Sequence, residues 1–147
     1  MQITRAGEYA VLGLLYLARQ PPERKVMIEE ISQAEGIPQS FLAKIFQSLV
    51  HAGLVQSHRG VGGGFSLARP ASAINLLEVF RAVEGTFALQ KCVGAEPECV
   101  VSEERLQSCA LCAVFAEAQG RVNEVFARTT LASLVQPRAR VPVAHGN

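Results

Sequence analysis

Aspartate is absent from this chain of 147 residues, so every one of its 13 acidic side chains is a glutamate. There is also no glycine-rich loop opening a helix and no nucleophile with an orienting partner. Little is left for catalysis, and the chain is not expected to be an enzyme. Long apolar runs are missing as well. No window reaches the roughly 18 consecutive apolar residues that a membrane-spanning helix needs. The start, Met1 to Glu8, lacks the basic and apolar blocks of a signal peptide. These absences predict a cytoplasmic protein with no membrane partner. What remains is the composition of an ordinary globule, 49% hydrophobic and 18% charged, without low-complexity runs. It suits one compact domain, or a small domain with an appended helical arm.

Negative charge is missing from one stretch in particular. No acidic residue lies between Glu35 and Glu78, while Lys44, Arg59 and Arg69 fall inside it. The net charge of +1 says nothing about nucleic acid. A locally basic surface in a near-neutral protein does suit a polyanion. Cysteine is absent before Cys92, and all four occur within 21 residues, at Cys92, Cys99, Cys109 and Cys112. In a cytoplasmic chain such a group is metal-binding or redox-active more often than a set of structural disulfides.

Periodicity supplies the elements. A first helix is predicted over about Arg5 to Arg19, with Thr4 as N-cap, apolar nearly all round and stopped by Pro21 and Pro22. A second covers roughly Ile28 to Glu35, and Gly36-Ile-Pro38 breaks the chain before a third over about Gln39 to Ala52. In that third helix Leu42, Ile45, Phe46, Leu49 and Val50 make one apolar stripe. Its other face collects Ser40, Ala43, Lys44, Gln47 and His51, without a carboxylate, as a helix lying against phosphates and base edges requires. Leu54 to Pro70 then reads as a β-hairpin with a glycine-rich turn carrying Arg59. Helix, turn, helix and glycine-tipped hairpin, in that order, describe a winged helix-turn-helix.

Beyond it, Ile74 to Val83 is expected to be an amphipathic helix. Periodicity is lost from Gly85 to about Leu106, which holds Cys92 and Cys99. A last long helix is predicted over about Ser108 to Arg128. Leu111, Val114, Phe115, Ala118, Val122, Val125 and Phe126 form a seam suited to a copy of itself in a dimer, or to its own domain. Thr130 can cap a short helix from Leu131 to Val135, and the tail from Pro137 is expected to be disordered. The fold class is thus mainly α. A winged helix-turn-helix domain with a two-stranded wing spans 1–84, a cysteine-bearing loop 85–107, a dimerisation helix and short terminal helix 108–136, and the tail 137–147.

Three segments carry a closer resemblance: Ile3 to Ala10, the turn Gly36-Ile-Pro-Gln-Ser-Phe-Leu42, and Ala52 to Phe65 with its wing glycines. With Ile74 to Phe80, the cysteine loop and Arg128 to Leu134, they resemble the IscR/NsrR (Rrf) family of bacterial transcription regulators over about residues 1 to 136. The resemblance implies a homodimer with crossing long helices, docking its recognition helices and wings on a palindromic double-stranded DNA operator. Carried over by position, Gln39, Ser40, Lys44 and Gln47 sit on the recognition helix. Ser57 and Arg59 sit on the wing, with Arg59 entering the minor groove. Lys44 and Arg69 are expected to neutralise phosphate. The family often holds an iron–sulfur cluster on three cysteines, which maps onto Cys92, Cys99 and Cys109, as either a 2Fe–2S or a 4Fe–4S centre. The fourth ligand implied is an acidic residue near the start of the partner's first helix, where Glu8 lies. Cys112 departs from the pattern and is the other candidate. Zinc is the inorganic rival on cysteine count, disfavoured by the irregular spacing, and thiol oxidation at Cys109 and Cys112 is the alternative without a cofactor. The expected function is a DNA-binding regulator that senses redox state, nitric oxide or iron–sulfur supply. Its alternative is the same regulator switched by its thiols or another ligand.

Overall fold

A computed structural model describes residues 3–99, 102–105 and 108–136. The expected tail, 137–147, lies outside the described residues. The chain runs α1 (Arg5–Ala18), α2 (Ile28–Glu35), α3 (Gln39–His51), β1 (Val55–His58), β2 (Gly64–Leu67), α4 (Leu76–Glu84), α5 (Ala110–Arg128) and α6 (Leu131–Val135). Thr4 caps α1 by accepting the Gly7 N–H, as its position before the apolar run predicts. Helix α1 is central and packs on α2, α3, α4 and α6, so its apolar character on several sides is spent on several neighbours. Leu14, Ile31, Leu42, Phe46, Leu49 and Leu54 are fully buried in the core this creates.

The wing is a two-stranded antiparallel sheet in which Val55 pairs with Leu67 and His58 with Gly64. Phe65 also exchanges both backbone hydrogen bonds with Val26, at 2.8 and 2.9 Å, which ties the wing to the chain entering α2. That pairing explains Gly64. Its φ is +136°, and a Cβ there would stand 2.6 Å from the Val26 carbonyl oxygen. On the other side Phe65 meets Phe46 edge-on, ring centres 5.1 Å apart, so β2 is fixed to α3.

Helix α4 begins two residues later than its apolar pattern suggests. Ile74 is extended and fully buried, and Asn75 and Glu78 form a reciprocal capping box. Helix α5 likewise begins at Ala110, with Cys109 as its N-cap. Its far end is anchored: the Leu76 N–H bonds to the Thr129 carbonyl and the Leu131 N–H to the Ile74 carbonyl. Leu131 of α6, capped by Thr130, is buried in the core of the winged domain. The expected seam of α5 is divided. Phe126 packs 5.0 Å from Phe80 of α4, whereas Leu111, Val114 and Val125 remain 62%, 62% and 44% exposed.

Candidate functional site

Two arrangements hold the residues singled out by the sequence. The first lies between α3 and the wing. Ser40, Lys44, Gln47 and His51 are exposed on one face of α3, opposite the buried stripe Leu42, Ile45, Phe46 and Leu49. A groove of about 680 Å³ separates that face from the wing and is lined by Gln47, His51, Ser57, Arg59 and Phe65. The turn between the strands uses Gly60 and Gly62 at positive φ, which leaves Arg59 and the tip residue Val61 standing out in solvent. Among the described residues neither Lys44 nor Arg59 has a carboxylate within salt-bridge distance. Their charges are therefore available to a polyanion.

Other expected contact residues are engaged within the chain. The Gln39 amide donates to Glu29 at 2.9 Å. Arg69 pairs with Glu78 at 2.9 Å, across from the end of β2 to the first turn of α4. Its charge is thus offset within the protein, and reaching a phosphate would require breaking that pair. Partial burial pushes the Glu78 carboxyl up, but the Arg69 guanidinium and the Asn75 backbone N–H together outweigh it and hold it below the usual carboxylate range.

The second arrangement gathers all four cysteines. Cys92 lies on a short turn, Lys91–Val93, and Cys109 and Cys112 lie at the start of α5. With Cys99, they line a single cavity of about 140 Å³, whose other walls include the apolar side chains of Leu111 and Phe115. Leu111 and Phe115, read from the sequence as part of the apolar seam of the long helix, thus also wall the cavity. An exposed ion pair, Lys91 with Glu98 at 3.1 Å, spans the loop between Cys92 and Cys99.

The thiols differ in character. At the N-terminus of α5 the Cys109 thiol has its pKa lowered, by the backbone and thiol of Cys112, the backbone of Leu111 and the charge of Arg105. The Cys112 thiol is pushed up to about 12, first by its hydrogen bond with Cys92, then by burial and by Cys109. All four thiols are free and half-buried. Among the described residues, no three histidine, cysteine or glutamate side chains converge on a single-ion position. Four thiols around one cavity are the donor set of an iron–sulfur cluster, whose ligands are shared among separate irons, so the sulfurs need not meet at one point. Glu8 is exposed in the first turn of α1 and does not line the cavity.

A winged helix with a basic groove and a thiol-lined cavity at the head of a long helix defines a class of regulator, not of catalyst. Comparison with known proteins gives the family: residues 3–137 match Rrf2, described as an iron-dependent transcriptional regulator. This chain belongs to the Rrf2 family of transcriptional regulators. It is 38% identical to protein aau3 of Rhizobium meliloti over 142 residues, covering 96% of this chain and 89% of that one. It is 34% identical to the transcriptional regulator IscR of Erwinia tasmaniensis over 144 residues, 98% of this chain and 84% of its relative. Its fold matches CymR, the global cysteine regulator of B. subtilis, with a TM-score of 0.74 and 26% identity, over 92% of this chain and 96% of that one. Among the described residues no helix is long and apolar enough to cross a membrane.

Proposed function

We propose that this chain is a cytoplasmic, homodimeric DNA-binding regulator whose operator affinity is set by an iron–sulfur cluster. The observation that carries the reading is the convergence of all four cysteines on one cavity at the N-terminus of α5. Cys92, Cys99 and Cys109 hold the cluster. Cys112 supplies the fourth ligand, in preference to the partner's copy of Glu8, because Cys112 lines the cavity with the other three cysteines and Glu8 does not. The cluster supplies electron transfer and reactivity toward oxygen or nitric oxide. The protein contributes the rest: the Cys112 and Leu111 amides favour a thiolate at Cys109, and Leu111 and Phe115 restrict water.

DNA is read by the groove face. Helix α3 enters the major groove, where Ser40 and Gln47 reach base edges, with Gln39 at its entry and Lys44 on phosphate. Arg59 of the wing enters the minor groove and Ser57 lies beside it. Arg69 holds β2 against α4 through Glu78 instead of binding phosphate. The exposed Leu111, Val114 and Val125 are covered by the α5 of a second copy, and the resulting two-fold axis calls for a palindromic operator.

The test is an absorption spectrum with iron and sulfide analysis on protein purified without oxygen, for the natural chain, Cys112→Ser and Glu8→Gln. The account expects charge-transfer bands with matching iron and sulfide in the natural chain and in Glu8→Gln, and their loss or marked lability in Cys112→Ser. A colourless natural chain that cannot be reconstituted would overturn the cluster. A second reading rests on the same cavity, which Cys112 lines together with Cys92 and Cys109. Cys112 and either Cys92 or Cys109 could each give up a proton and together two electrons to peroxide, forming a disulfide and two waters. Differential alkylation before and after peroxide decides it, since unchanged thiols exclude this reading.

A further inference from the structure

Beside the thiol cavity, and sharing with it the Lys91–Val93 turn, lies a second cleft of about 200 Å³ between α4, α5 and the loop. One wall is aromatic. Phe126 stands between Phe80 and Phe87, with ring centres 5.0 and 6.5 Å away. The polar lining is charged in both senses. Arg81 and Glu84, one helical turn apart on α4, both line the cleft but are not within salt-bridge distance of each other. Glu84 is held in place, since its Oε1 accepts from the Thr4 N–H and the Thr4 hydroxyl, each at 2.7 Å. Across the cleft Gln119 is only 7% exposed. Its Oε1 accepts the Leu89 N–H at 2.7 Å and its Nε2 donates to Asn123 at 3.0 Å. One amide N–H remains for a ligand.

We propose that this cleft binds a small apolar amino acid as its zwitterion. Arg81 takes the carboxylate, the free Glu84 oxygen takes the ammonium, and the side chain lies against the three phenylalanines. The charges select this class. A simple anion meets the Glu84 carboxylate, a simple amine meets the Arg81 guanidinium, and a neutral apolar molecule leaves both charges to be desolvated without compensation. Size limits it further, because a dry cavity of about 150 Å³ is enough to hold benzene. A leucine or phenylalanine side chain is therefore near the upper bound. None of the groups proposed to touch the ligand is a cysteine, so its binding is tested apart from the cluster.

The experiment is a titration followed by the side-chain amide signals of Gln119 and Asn123 in nitrogen–proton correlation spectra of the full-length protein. The probes are L-leucine, L-phenylalanine, hydrocinnamate as the acid alone and phenethylamine as the amine alone. The expected result is saturable shifts with one of the amino acids, at a Kd on the order of 0.1–1 mM, and binding about tenfold weaker or worse for the two half-molecules. Arg81 is exposed, so Arg81→Gln is expected to fold normally and to weaken amino-acid binding by roughly tenfold. No shift with either amino acid up to about 10 mM, equal binding of hydrocinnamate, or unchanged affinity in Arg81→Gln would each overturn the proposal.

Discussion

At the scale of single residues, the account turns on which cations are free. Lys44 on the exposed face of α3 and Arg59 at the α3–wing groove have no acidic partner among the described residues, whereas Arg69 is held by Glu78. Three substitutions separate these roles in fluorescence-anisotropy titrations on an operator duplex. Arg59→Ala is expected to cost about 1–3 kcal/mol of specific binding and to relax preference at the position under the wing. Lys44→Ala is expected to weaken all duplexes alike and to lower the slope of log affinity against log salt by about 1. Arg69→Ala is expected to leave that slope unchanged. Its ion pair is more than a third exposed on both sides, so its loss costs stability no more than about 1 kcal/mol. An Arg69→Ala slope as reduced as that of Lys44→Ala would restore the phosphate contact expected from sequence. The count of basic residues was legible in the chain. Their partners were not, because Glu78 reaches Arg69 only once the Asn75 capping box has set the start of α4.

At the scale of elements, the regular parts were readable wherever local chemistry and burial agreed. Thr4, the two prolines after α1, Gly36 and the wing glycines punctuate the chain where the structure does. The misplaced starts differ in cause. Ile74 extends the apparent periodicity of α4 but is buried as extended chain, whereas at α5 Cys109 takes the N-cap and Ser108 lies outside the helix. A capping box of the form Asn-x-x-Glu was present at Asn75 and marks the true start of α4. The long helix posed a different problem. One apolar stripe serves α4, the cysteine cavity and the exposed face in succession, and a linear sequence does not say where one ends. Its anchoring is testable. Leu131→Ala empties a fully buried site and is expected to cost about 2–5 kcal/mol in denaturant unfolding. A cost below about 0.5 kcal/mol would show that α6 does not hold α5 to the winged domain.

At the scale of the whole molecule, α5 links a cavity at one end to the DNA-binding domain at the other. The exposed Val114 offers a test of the dimer, since Val114→Glu places a charge on the face proposed for self-association. Sedimentation is expected to show a monomer, with tight operator binding lost because one half-site remains. A dimer of unchanged stability would place the interface elsewhere. On the proposed reading, cluster binding at the head of α5 changes how the two winged domains of the dimer are held relative to each other, while each wing stays fixed to its own α3. A differential stability of only a few kcal/mol between the two states alters affinity by tens to hundreds of fold. The most direct measurement is anaerobic operator binding by one preparation before and after removal of its iron and sulfide, on a duplex selected from random sequences by the dimer. The account predicts that affinity for the selected duplex changes at least about tenfold while non-specific binding stays constant. Identical titration curves for the two forms would contradict it, leaving a DNA-binding regulator whose cysteines do not govern its operator.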